Sequence, residues 1–246
     1  MSRKANTRIK IVEEELKTNT LKLKLDELKI FEPLTENQKK FFDAYKRGDY
    51  FVALHGVAGT GKTFCAMYKA LEEVLDKGNP FKKIILVRSA VQSREIGHLP
   101  GDVTEKMEIY QQPYQQICET LFGRKDAYQR LSEQGYVEFI STSFIRGMSF
   151  DDAIIIVDEM QNLTFEEIDT VMTRVGYRSK ILWCGDYRQT DLNKKKNDMS
   201  GILKFFDIAT HMEAFTKIEF TPDDIVRSSL VKDYILAKLR YEDMVE

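Results

Sequence analysis

Between Gly56 and Thr63 the chain reads GVAGTGKT, a full match to G-x-x-x-x-G-K-[ST]. The spacing suits a backbone that leaves a strand, wraps around an anion and enters a helix. Side chains inside the wrap would collide with a phosphate, so Gly56, Gly59 and Gly61 leave the space open and permit positive φ. Backbone N–H groups of the whole run, Val57, Ala58 and Thr60 included, are then free to converge on the anion. The helix N-terminus adds its dipole and its unpaired N–H groups. Lys62 is expected to reach the β- and γ-phosphates of ATP, and the Thr63 hydroxyl to ligate Mg²⁺.

A second group of reactive residues lies farther on. AIIIVDEMQN puts Asp158 and Glu159 at the end of an apolar run. Such a run reads as a central buried strand, and ligands of open α/β sheets bind beyond the carboxyl ends of their strands. An acid there holds a metal through its water shell, the role expected of Asp158. Glu159 is the candidate general base that orients and polarises the attacking water. A glutamate beside the metal-binding aspartate favours hydrolysis over binding alone; an acid pair capping a helix start is the plainer alternative. KILWCGDYRQTDL ends another apolar run in Gly185, Asp186 and then Gln189. Gln189 is either a sensor of the γ-phosphate or attacking water, or an ordinary solvated loop residue.

These groups meet only if strands and helices alternate around them, and the sequence has that rhythm. YFVALHG, KKIILVRS, GYVEFIST, DAIIIVDE, SKILWCGD and FTKIEFT read as strands. Between them lie helix-length segments. One starts at the N-cap candidate Thr35 and carries Phe41, Phe42 and Tyr45 on one face; KTFCAMYKALEEVLDKG follows, with Gly78 as its stop. A long helical region with Pro113 inside it runs from about Val103 to Gln134. Thr164 and Glu167 form a capping-box pattern, and SSLVKDYILAKL makes a closing helix. Apolar β-branched runs separated by helices imply an α/β fold, a mostly parallel sheet covered on both faces. Residues 1–30 read as a charged tail, partly disordered, in which LKLKLDEL is either a short edge strand or a solvated charged face. Residues 31–246 read as one domain.

Composition removes several other classes. Cys65, Cys118 and Cys184 are scattered and form no CxxC pair, and His55, His98 and His211 have no metal-ligand spacing. No apolar run approaches the ~18 residues of a membrane span, and no signal-peptide core opens the chain, so a reduced cytoplasmic protein without a membrane partner is expected. A formal net charge of −2 argues neither for nor against nucleic acid, since a local basic groove can be cancelled elsewhere.

Together the motifs resemble the PhoH-like, phosphate-starvation-inducible ATPase family and, through it, the first core domain of superfamily 1 helicases. The similarity covers roughly Leu34 to Ala237. PLTENQKKFF resembles the Q-motif, which implies that Gln38 bonds the adenine edge. VRSAVQSREIGHLPGD resembles the family's segment after the second strand, SFIRGMSFDDAIIIVDEMQN its approach to the carboxylate box, GDYRQTDL its GD-x-x-Q-x-D box, and DDIVRSSLV its C-terminal box. Met160 replaces the common alanine in the carboxylate box. The resemblance implies a single RecA-like P-loop NTPase domain and a ring, commonly hexameric. A superfamily 1 helicase closes ATP between two such domains and takes an arginine from the second; this chain has room for one. Arg227 in DDIVRSS is therefore the finger candidate, offered to a neighbouring subunit, with a cis contact or a structural ion pair as the alternative. In the superfamily the position of Arg88 lies along the bound strand, so Arg88, with Arg94 and the run Lys194–Lys196, are the candidate contacts to single-stranded RNA or DNA; the lysine run also reads as a solvated loop. Two functions fit: an ATP-driven motor or remodeller on single-stranded nucleic acid, RNA foremost, and an ATP-gated assembly protein that recruits a partner.

Overall fold

A strand such as Ile154–Val157, with no polar position, is stable only where both of its faces are covered. The computed structural model, which describes residues 22–89, 103–186 and 199–245, provides that cover. The strands are β1 (Phe51–Gly56), β2 (Lys83–Arg88), β3 (Val137–Ser141), β4 (Ala153–Val157), β5 (Lys180–Gly185) and β6 (Phe215–Phe220). They form one sheet in the order β3-β2-β4-β5-β1-β6, with every pairing parallel. The helices are α1 (Glu36–Arg47), α2 (Lys62–Leu75), α3 (Val103–Phe122), α4 (Ala127–Glu133), α5 (Phe165–Met172), α6 (Met199–Thr210) and α7 (Ser229–Val245).

Alternation along the strands sorts the apolar residues into two cores. Leu54, Leu86 and Ile156 face α1, α2 and α3, where Phe41, Met67, Leu71 and Tyr114 fill the space. Ala53, Ile85, Ile155 and Trp183 face the other way, onto Val171 of α5 and Phe205 of α6. The expected parallel sheet with helices on both faces is the observed one. Thr35 caps α1 by accepting from the Gln38 N–H, and the Thr164–Glu167 capping box starts α5 as expected.

Three details differ from the sequence expectation. LKLKLDEL makes no strand: Leu25–Glu27 is a 3₁₀ turn, and Leu23 and Leu28, five positions apart, are its buried residues. The Leu23 N–H donates to the Gln134 side chain instead of a sheet edge, and Lys29, just after the segment, donates to the Leu121 carbonyl. The helix after the glycine run ends at Leu75, ahead of Gly78. Helix α6 had no clear sequence signal, because Gly201 interrupts it; a Cβ there would lie 2.9 Å from the Phe165 backbone nitrogen, so the glycine serves the packing of α6 on α5.

The register places the chemistry. His55 pairs with Gly185 and Val157 with Trp183, so β1, β5 and β4 end side by side. Gly56, Asp186 and Asp158 thus emerge at one edge of the sheet.

Candidate active site

Strand β1 ends in Gly56 at φ 117°, a conformation closed to other residues, and a Cβ there would lie 2.1 Å from the Phe220 carbonyl oxygen. The loop that follows is braced from several directions. Val57 N–H donates to Phe220 O (3.0 Å) and Val226 N–H to Gly59 O (3.1 Å). The Gln38 side chain donates through Nε2 to Thr60 O (2.9 Å) and accepts through Oε1 from Leu34 N–H (2.8 Å). Gln38 therefore fixes the loop and the segment before α1 together. One amide hydrogen and one lone pair remain for an adenine edge.

Lys62 lies in the first turn of α2, and its ammonium turns back to donate to Gly56 O (2.8 Å) and Val57 O (2.7 Å). Burial lowers the Lys62 pKa, against the pull of Asp186, Glu159 and Asp158.

The carboxylates meet the loop as the sequence implied. Thr63 Oγ1 donates to Asp158 Oδ1 (2.7 Å). The other oxygen, Oδ2, accepts from the phenol of Tyr114 on α3 (2.9 Å). Burial first, and Asp158 second, hold the Tyr114 phenol well above its usual pKa, so it stays a donor. The Thr63–Asp158 pair fits Mg²⁺: the Thr63 hydroxyl oxygen would ligate the metal, and the adjacent Asp158 carboxylate would hold it through its water shell.

Glu159 has a left-handed backbone (φ 52°, ψ 44°), strain of the kind that collects at functional sites. Burial and the neighbouring Asp158 raise its pKa, while Gln161, Arg88 and Lys62 pull it down. Gln161 links two strand ends: its Nε2 donates to Glu159 Oε2 (2.5 Å) and its Oε1 accepts from Asp186 N–H (3.0 Å). Gly185 makes room for this bridge, since a Cβ there would lie 2.3 Å from Gln161 Oε1 and 2.7 Å from Met160 Cγ. Gly185→Ala should push Gln161 aside and misplace Glu159. Turnover is expected to fall on the order of 10²-fold with nucleotide affinity kept, as read by steady-state ATPase assays beside nucleotide titrations.

The cleft around these groups holds about 600 Å³. Ala58, Gly59, Thr60, Gly61, Lys62 and Thr63 line its phosphate end with Asp158 and Glu159; Phe31, Leu34, Pro113 and Ile117 line the apolar end, beside Gln38. That size and mixed lining suit a nucleotide. Arg88 and Arg227 line the same cleft. Arg88 lies over the Tyr110 ring of α3, 5.6 Å from its centroid. Arg227 lies over the loop of its own chain, its Cγ 3.0 Å from where a Cβ of Gly59 would sit. Gln189, Arg94 and Lys194–Lys196 fall outside the described residues.

A family model described as PhoH-like protein matches residues 30–238. The chain belongs to the PhoH family. Among curated relatives, a PhoH-like protein of Bacillus subtilis is 37% identical over 204 residues, covering 82% of this chain and 62% of that protein. A PhoH-like protein of Mycobacterium leprae is 35% identical over 227 residues, covering 91% of this chain and 63% of that one. The chain thus spans about three fifths of the length of these relatives. Solved structures similar to it include a Pif1 helicase from work on DNA unwinding at forked dsDNA, with TM-score 0.37 and 17% identity over 76% of this chain and 43% of that one. Unliganded Pif1 from a Bacteroides species gives TM-score 0.37 and 16% identity over 78% and 42%.

Two residues of this PhoH-family site escaped the sequence reading. Gln161 stands in the quoted DEMQN box but had no assigned role. Tyr114 carries no sequence signal; only the packing of α3 brings it to Asp158. No described helix is long and apolar enough to cross a membrane.

Proposed function

We propose that this chain binds ATP with Mg²⁺ and hydrolyses it, and that hydrolysis drives a helicase-like action on single-stranded nucleic acid, RNA foremost, within a ring of subunits. The observation that carries the hydrolytic part is the Thr63–Asp158 contact with Glu159 as the next residue. It joins the phosphate loop to a metal-holding carboxylate and sets a base beside it. Mg²⁺ would supply charge stabilisation at the β- and γ-phosphate oxygens. Lys62 binds the same phosphates, Glu159 orients and deprotonates water, and Gln161 holds Glu159 in place.

The nucleic-acid part is supported by the charge and aromatic groups at one end of the sheet. Arg88 ends β2 inside the cleft, where its charge pulls the Glu159 pKa down. Its partner in register is Ser141, and the chain that follows Ser141 carries exposed Phe144 and exposed Arg146, a ring and a guanidinium of the type that stack on and neutralise a single strand.

A second reading, ATP-gated assembly, is favoured by α7. Leu230, Tyr234, Tyr241 and Met244 form an exposed apolar stripe along it, the composition of a protein-contact surface. Steady-state ATPase activity with and without single-stranded RNA or DNA separates the two. The motor reading expects turnover to rise with polynucleotide and to vanish in Lys62→Ala. Turnover that is present but indifferent to polynucleotide overturns the motor in favour of assembly.

A further inference from the structure

Helix α3 presents one face to the whole length of the cleft. Tyr110 lies under Arg88, Tyr114 bonds Asp158, and Pro113 and Ile117 line the apolar end. These positions recur at three and four residues, so a single rigid element touches both the base end and the metal end of the site. Tyr114 is fully buried in this array. Its ring packs at a tilt against Phe139, with centroids 6.0 Å apart, and a phenylalanine would fill that space equally well. The hydroxyl is therefore unnecessary for packing, and its partner is one oxygen of the carboxylate best placed to hold the metal.

We propose that Tyr114 is a positioning residue for the metal site: its hydroxyl holds Asp158 in the orientation that Mg²⁺ requires. The inference rests on the metal role assigned to Asp158 above. Its logic lies in what happens to the two donors on that carboxylate. In the present arrangement Thr63 donates to Oδ1 and Tyr114 to Oδ2. A hydroxyl that ligates a metal through a lone pair keeps its hydrogen, so Thr63 can hold the metal and still donate to Oδ1. Tyr114 fixes the second oxygen, and with it the carboxylate plane, as a donor that is not itself a candidate metal ligand. Outer partners that orient a metal-holding group typically alter metal affinity about 10- to 100-fold when removed.

The test is Tyr114→Phe, which keeps the ring and removes the hydrogen bond. A fluorescent ADP analogue is titrated onto wild type and variant across a Mg²⁺ series and in excess chelator, with thermal denaturation run alongside. Positioning predicts that the Mg²⁺ concentration giving half-maximal tightening rises about tenfold or more in Tyr114→Phe, while metal-free affinity stays within about twofold. An unchanged Mg²⁺ midpoint overturns the proposal. So does an equal loss of affinity with and without Mg²⁺, which marks a packing role only. Failure of the functional reading looks different: wild type then binds no nucleotide, or binds it with no response to Mg²⁺, and Tyr114 loses its assigned partner as well.

Discussion

Glu159→Gln should bind ATP as wild type does and fail to hydrolyse it, with turnover reduced about 10²- to 10⁴-fold, the usual contribution of a positioned general base. The substitution keeps the shape and one carbonyl oxygen of the side chain and removes the charge that accepts a proton from water. The adjacent carboxylate is not free to substitute for it. Asp158 has both carboxylate oxygens engaged, by Thr63 and by Tyr114. Burial and the nearby Asp158 also raise the Glu159 pKa, which makes the side chain a stronger base than a free glutamate at the pH where it is ionised. Single-turnover hydrolysis and equilibrium binding of ATP, measured on the same preparation, check the split. Hydrolysis within a few-fold of wild type would transfer the base role elsewhere, and lost binding would give Glu159 a part in holding the nucleotide.

Arg227→Ala should lower turnover about 10³-fold or more if its guanidinium meets the γ-phosphate in the transition state. The geometry favours action within its own chain. The aliphatic part of Arg227 lies against Gly59, and the preceding residue, Val226, bonds the Gly59 carbonyl. Mixing inactive Lys62→Ala subunits with inactive Arg227→Ala subunits separates the two geometries. A finger acting in cis restores no activity, because neither subunit has a complete site. Recovered activity in the mixture would establish donation between neighbours and bring the ring interface to the cleft.

Much of this site was readable before folding because its chemistry needs contiguous backbone. A phosphate loop must have small residues at fixed spacing followed by a helix, so Gly56 through Thr63 announced themselves. A central strand must be apolar to its end, so Asp158 and Glu159 stood out at the close of Ile154–Val157. The partners of those residues were harder to see. Gln161 reaches Asp186 only because β4 and β5 end side by side, a register the sequence does not write. Tyr114 depends on how a helix packs, and nothing local separates it from the other tyrosines. Arg88 had a legible charge but an illegible direction; it points into the cleft, over Tyr110. LKLKLDEL alternated like a strand, yet two of its leucines found the core and the Leu23 N–H found the Gln134 side chain before any sheet edge.

The braces on the phosphate loop bear on when the site comes into being. Gln38 grips Thr60, Val226 grips Gly59, and Asn37 bonds Asp224 across 187 positions of sequence (Nδ2 to Oδ2, 2.7 Å). A ribosome that has just finished Thr63 has made every residue of the loop and only the first of these three braces. At ordinary elongation rates the other two arrive on the order of ten seconds later. Contacts this distant in sequence also close late when a full-length chain refolds. ATP therefore meets a fully braced loop only after Val226 has been made, and cannot act as a template for folding before then.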